Sequence, residues 1–196
     1  MPRPKTLPDE EVLQAALGVI REGGPEALTF SRLAGACGLS AATLVQRFGS
    51  KAGLKRSALM LAWDRLDQRT AALAGQAPRT PRGAIEILVR LSTDYEGIEA
   101  YAEGLLLLRE DLRDPALRAR GAAWQAALCR ALEDRFRDLP GAPAGIGLLL
   151  ASQWQGALLW WSFDPQQSVR RYVERSLTRF VSAAVPSEVP PQRGQS

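Results

Sequence analysis

Apolar residues recur three and four positions apart along nearly the whole chain, and nowhere do they alternate with the period of two that marks a half-buried strand. The pattern predicts an all-α protein. The first helix is expected over residues 9–22, with Leu13, Leu17 and Ile20 on its inner face. Asp9, Glu10 and Glu11 complement the dipole of its first turn, and Gly23-Gly24-Pro25 ends it. Two short helices follow at about 29–37 and 41–48, then a long one from about 50 to 74 with Leu54, Ala58, Leu61 and Leu66 turned inward. Residues 75–82 read as a loop by their proline and glycine. Helices are expected next at about 83–95, 98–110 and 115–138, the last opened by Pro115 at its first position. After a break at 139–142 come an uncharged apolar helix at about 144–163 and an amphipathic one at about 166–184. Residues 1–7 read as an arm carrying Arg3 and Lys5, and residues 185–196, with three prolines, as a disordered tail.

Residues 29–51 carry the densest local information. Thr29 is a good N-cap, and Phe30, Leu33, Ala34 and Cys37 form one apolar face behind it. Ala34 is small enough to let a second helix cross closely. Gly38 suits a left-handed helix stop, Leu39 anchors the turn, and Ser40 caps the next helix, in which Leu44 and Phe48 point inward. That order of small residue, turn glycine, apolar anchor and capping serine is the order of a helix-turn-helix. Such a unit sets the N-terminal end of its second helix in the major groove of DNA. Ala41 and Ala42 then permit close approach, and Thr43 offers a methyl and a hydroxyl. Gln46 can read adenine, and Arg47 can read guanine or clamp a phosphate. Lys51 lies beside a helix N-terminus, where backbone N–H groups also favour an anion.

Charge strengthens this picture. Residues 27–63 contain no acidic residue but include Arg32, Arg47, Lys51, Lys55 and Arg56. Residues 1–60 hold eight basic and five acidic side chains, so most of the net charge of +4 sits at the N-terminal end. The expectation is a helical hairpin stripped of negative charge and suited to a polyanion.

The run TFSRLAGACGLSAATLVQRFGSKAGL resembles the DNA-binding signature of TetR-type transcriptional regulators. Thr29, Leu33-Ala34, Gly38-Leu39-Ser40, Thr43-Leu44-Val45 and Phe48-Gly49-Ser50-Lys51 carry the resemblance, which covers about the first quarter of the chain. The family commonly has a phosphate-binding Tyr where this chain has Val45, so one backbone contact is missing, and Arg47 or Gln46 is its replacement. The DNA-contacting set is expected to be Thr29, Arg32, Ser40, Ala41, Ala42, Thr43, Val45, Gln46, Arg47 and Lys51. Within it Arg47 is expected to discriminate sequence and Lys51 to supply general affinity.

The resemblance also implies an effector site among the later helices, for an apolar or aromatic small molecule. All five tryptophans and all three tyrosines lie beyond residue 60, and an indole or phenol in a bundle needs a partner for its N–H or O–H. Trp63, Tyr95, Tyr101, Leu105, Leu108, Trp124 and Trp154 are the expected lining. Leu148, Gln155, Leu159, Trp160, Arg171, Arg175, Thr178 and Phe180 on the last two helices are the expected dimer surface. Two-fold pairing would set two reading heads about 34 Å apart on a pseudo-palindromic operator. The domains expected are a helix-turn-helix domain at 1–50, a helical effector-binding and dimerisation domain at 51–185, and a tail at 186–196.

Several function classes are excluded or disfavoured. With no histidine, imidazole acid–base chemistry is absent, and two cysteines cannot make a zinc site in one chain. Cys37 and Cys129 read as free buried thiols in a reducing cytoplasm. MPRPKTLPDE lacks the apolar core of a secretory signal. The uncharged run at 144–163 has the length of a bilayer span, but its Ser152, Gln153, Gln155, Gly156 and Ser162 point to a helix buried on several sides. Glu96, Glu99, Glu103 and Glu110 read as surface charge rather than catalytic groups, and no cofactor or metal is expected. The expected function is a dimeric, ligand-responsive regulator, a repressor. The alternative is a helical small-molecule binding or interaction protein that has lost DNA reading.

Overall fold

The computed structural model describes residues 7–94 and 97–185. Every regular element among them is helical: α1 (Asp9–Gly23), α2 (Phe30–Cys37), α3 (Ala41–Phe48), α4 (Lys51–Gln76), α5 (Pro81–Leu91), α6 (Ile98–Arg113), α7 (Pro115–Glu133), α8 (Ile146–Phe163) and α9 (Val169–Ala184). Short 3-10 turns occupy Pro25–Ala27 and Ser92–Asp94. The expected arm, tail and Tyr95 fall wholly or largely outside the described residues.

The packing forms two compact units. One takes in the described parts of residues 1–71 and 97–126, the other those of 72–96 and 127–196. In the first unit α1, α2 and α3 close around Val12, Ala16, Leu17, Val19, Ile20, Leu28, Leu33 and Leu44, joined by Leu54 and Ala58 of α4. Leu107 of α6 packs against the same core. In the second unit α5, α8 and α9 pack on one another through Ile87, Leu88, Leu150, Leu158, Val173 and Leu177, all buried. The Trp154 indole donates to Ser92 Oγ at 2.8 Å there.

Helix ends follow local chemistry. Thr80 accepts from Gly83 N at 3.3 Å and Pro81 opens α5. Ser168 caps α9 at Arg171 N. Three boundaries differ from expectation. α4 runs on to Gln76, so the loop before α5 shrinks to residues 77–80, and the buried Arg135 guanidinium binds the carbonyls of Ala74 and Ala77 at its end. α5 stops at Leu91 and yields to the 3-10 turn, where Ser92 Oγ bonds back to Leu88 O at 2.7 Å. α7 stops at Glu133 rather than near 138, where the backbone tightens into turns with Arg135 N bonded to Leu132 O and Phe136 N to Glu133 O; the Glu133 carboxylate accepts from the N–H groups of Gly145 and Gly147 at the start of α8. Residues 134–145 make the turns between.

A Cβ added at Gly83 would collide with the carbonyl oxygen of Pro78, and one at Gly147 with that of Cys129. Both obstacles are backbone and cannot swing aside. Gly83→Ala and Gly147→Ala should therefore each destabilise by about 1–3 kcal/mol or more, as overpacking does. Gly35→Ala, where nothing lies within 4 Å of the added atom, should stabilise or be neutral. Urea midpoints of the three variants give the comparison.

Candidate functional site

The hairpin forms as its residues dictate. Thr29 Oγ1 accepts from Arg32 N at 3.1 Å, and Gly38 takes the left-handed conformation at φ 71° to end α2. Ser40 Oγ accepts from Thr43 N at 3.1 Å to start α3. Leu33 and Leu44 are fully buried, and Ala34 lies between the two helices. With Leu44 inward, Ala41, Ala42, Val45 and Gln46 form the exposed face of α3.

Three expected readers are less free than their sequence positions imply. The Arg47 side chain is only 23% exposed; its Nε donates to Asp9 Oδ1 at 2.7 Å, and the guanidinium sits 5.8 Å from the Phe48 ring centroid. The Thr43 hydroxyl shares a hydrogen bond with Ser40 Oγ at 2.8 Å. Lys51 Nζ donates to the carbonyl of Glu26 at 3.1 Å and to its carboxylate at 3.2 Å.

The acid-free window is correspondingly not free of acid in space. Arg32 faces Glu22 at 3.7 Å, Lys55 meets Glu26 and Glu110, and Arg56 meets Asp114 at 2.6 Å. All five bases of the window are thus paired by carboxylates from α1, from the turn at Pro25–Ala27 or from α6 and the residue after it. No sequence motif announces these partners, since Asp9 and Arg47 lie 38 positions apart.

α6 is held to α4 along this line. Besides Lys55–Glu110 and Arg56–Asp114, Trp63 Nε1 donates to Asp111 Oδ1 at 3.1 Å. Glu110, expected as surface charge, keeps only 12% of its side chain exposed. Burial holds the Asp111 carboxyl above the usual carboxylate range, opposed by the Trp63 hydrogen bond and reinforced by Glu110. Asp114 is held below that range, first by the hydrogen bond from Arg56, and Glu26 likewise by the hydrogen bond and charge of Lys51.

The expected effector lining is dispersed. Trp63 and Trp124 stack at 5.7 Å with planes tilted 53°, and Trp124 donates to Thr70 Oγ1 at 3.0 Å. Tyr101 is buried in the same unit, whereas Trp154 belongs to the core of the other. Leu105 and Leu108 point outward, 43% and 46% exposed, and line a shallow depression with Arg109, Leu112 and Arg113. Both were expected as lining; instead Leu107 takes the packing position.

The residues expected at a dimer surface are mostly exposed. Leu148 is 48%, Leu159 41% and Trp160 66% exposed, and Phe163 beyond them 74%. Gln155, Arg171, Arg175 and Thr178 are exposed and Phe180 half-buried. α8 is thus buried on one side and apolar on the other. Among the described residues no helix is long and apolar enough to cross a membrane, and no cluster of three or more His, Cys, Asp or Glu side chains could hold a metal ion.

Comparison with known proteins bears on this geometry. Residues 12–58 match the family described as bacterial regulatory proteins, tetR family. The chain superposes on a transcriptional regulator from Rhodococcus sp. Rha1 with a TM-score of 0.72 at 16% identity, over 90% of this chain and 97% of the other. It is similar to a TetR family member from Streptomyces coelicolor at TM-score 0.65 and 22% identity, over 92% and 100% of the two chains. The TetR family regulator PfmR from Thermus thermophilus gives 0.59 at 20% identity, over 89% and 96%. No curated protein matches the chain.

Two outcomes follow from the ion pairs. Arg47→Ala, Asp9→Asn and their double variant should close a thermodynamic cycle with a coupling of about 0.2–1 kcal/mol, as for exposed pairs. A coupling of zero in urea melts would show that the pair does not hold α3. Asp111 keeps its proton more tightly folded than unfolded, so its share of stability falls as pH rises through its raised pKa. Asp111→Asn retains an acceptor for Trp63 and should melt above the parent at neutral pH, the gain fading as pH drops below the usual carboxylate range. Glu26 and Asp114 act with the opposite sign, their stabilisation being lost as pH falls through their lowered values.

Proposed function

We propose that this chain, TetR-type by its N-terminal domain and by its fold, is a ligand-responsive homodimeric transcriptional regulator that represses from a pseudo-palindromic operator. The observation that carries the reading is α3: a capped helix, anchored only by its inner side, with Ala41, Ala42, Val45 and Gln46 facing outward in the family-matched segment. Among the described residues of the first unit nothing packs over that face. Lys51 and Arg32, each still about half exposed, supply general attraction to phosphates beside it.

The uncovered apolar side of α8 supports a second copy as the partner. A two-fold dimer through Leu148, Leu159, Trp160 and the outward side of α9 would place two reading heads about one DNA turn apart, near 34 Å. The three polar contacts between α6 and α4 support the coupling. An effector, small and apolar or aromatic, that prefers one placement of α6 shifts α4 with it and so changes the reach of the reading heads. The size of the response is bounded by the effector's preference between the two states. The compartment proposed is the cytoplasm.

One observation favours a second reading, a helical binding protein without DNA reading: all five bases of the hairpin window already hold carboxylate partners. Selection from a random duplex pool, followed by affinity against salt, separates the two. A regulator enriches two-fold symmetric sequences and loses affinity steadily with salt. Lys51→Ala should weaken cognate and random duplexes alike and lower the salt slope by about one. Absence of any salt-dependent duplex binding would leave the second reading standing.

A further inference from the structure

The outward face of α3 is built of methyl groups and one amide. Ala41, Ala42, Val45 and Gln46 share it, with Val45 44% exposed. The polar groups nearby are engaged: the Thr43 hydroxyl with Ser40, the Arg47 guanidinium with Asp9, and the Lys51 ammonium with Glu26. Val45 is out of place on structural grounds alone. A β-branched residue on the open side of an eight-residue helix lowers helix propensity, and Val45 leaves 44% of its surface uncovered.

A major-groove floor presents one apolar feature, the 5-methyl group of thymine, and Ala-like side chains are its natural counterparts. We infer that α3 distinguishes its half-site chiefly through thymine methyls, with the Val45 isopropyl group as the main contact and the methyls of Ala41 and Ala42 beside it. Gln46 supplies the donor–acceptor pair that fits adenine N6 and N7. The half-site facing α3 is therefore A·T-rich, and Arg47 acts as a positioning residue that ties α3 to α1. The inference rests on the DNA-reading proposal above, and it replaces guanine reading by Arg47 with methyl reading by Val45.

The test uses full-length protein and duplexes of about 20 base pairs, long enough for two half-sites one turn apart, enriched from a random pool. Each thymine is then replaced singly by deoxyuridine, which removes the methyl and leaves every hydrogen-bonding edge in place. At one or more positions in each half-site the replacement should weaken binding about fourfold, the transfer value of one buried carbon group. Val45→Ala, whose shorter side chain withdraws from the groove, should distinguish the thymine and deoxyuridine forms of that position clearly less than the parent does, with unchanged helix content by circular dichroism. Indifference of the parent protein to deoxyuridine at every position overturns the inference and leaves DNA reading intact, as does full discrimination by Val45→Ala. Failure to enrich any duplex overturns the DNA-reading proposal itself.

Discussion

The burial of Leu44 is the contact on which the reading helix depends. α3 has eight residues, too few to persist alone in water, where nucleation outweighs the bonds that so short a helix can form. It exists because Leu44 is fully enclosed among Leu33, Val12 and Ala16, a burial that contributes about 1.5–3 kcal/mol, and because Ser40 satisfies an orphan N–H at its start. The same contact sets the rotation of the helix. With residue 44 turned inward, residues 42, 45 and 46 turn outward, and residue 41 in the first turn stays exposed beside them, so the chemistry offered outward is largely fixed by a core leucine.

Charge supplies a different lesson. The hairpin looks strongly basic along the chain because carboxylates are absent from its window, yet folding returns Asp9, Glu22, Glu26, Glu110 and Asp114 to its bases. What a partner meets is a paired, half-screened surface rather than a bare cationic one. An exposed pair such as Lys51–Glu26 is worth little in stability and is easily exchanged for a phosphate contact. The Lys55–Glu110 pair, with both side chains largely enclosed, is harder to exchange, and so is the Arg47 guanidinium, 23% exposed, on its side of the Arg47–Asp9 pair. Bases of like sequence appearance thus divide into exposed ones that can exchange partners and enclosed ones that hold the scaffold.

Which features were legible in the sequence follows from how local their causes are. Helix starts and stops at Thr29, Gly38 and Ser40 were readable because each is decided within a few residues. The inward set Leu17, Ile20, Leu33, Leu44, Leu54 and Ala58 followed from the period alone. The Glu133 contact was not readable, because its partners Gly145 and Gly147 lie 12 and 14 residues ahead at the start of α8. Nor was the outward turn of Leu105 and Leu108: in the run of four leucines at 105–108 the period leaves the inner side ambiguous, and only contact of Leu107 with the N-terminal core resolves it. The aromatic residues were legible as a group needing partners, but the partners, Asp111, Thr70 and Ser92, lie 48, 54 and 62 positions away.

The grip of α6 on α4 ties these strands together. Glu110, Asp111 and Asp114 lie within two turns of one helix end and meet Lys55, Trp63 and Arg56 on the other helix. The acids do not act alike. Asp114 is favoured as a charge by its arginine, whereas Asp111 is kept in a place that penalises its charge and accepts only a neutral indole donor. A contact set made only of favourable pairs would lock the two helices together. One that includes a penalised carboxylate binds less firmly than the same set with a neutral acceptor at that place would. Leu107 of that same helix packs against the core that positions Leu44. A displacement of α6 therefore has two physical routes to α3: through the polar contacts and α4, and through the apolar core that gives the reading helix its shape.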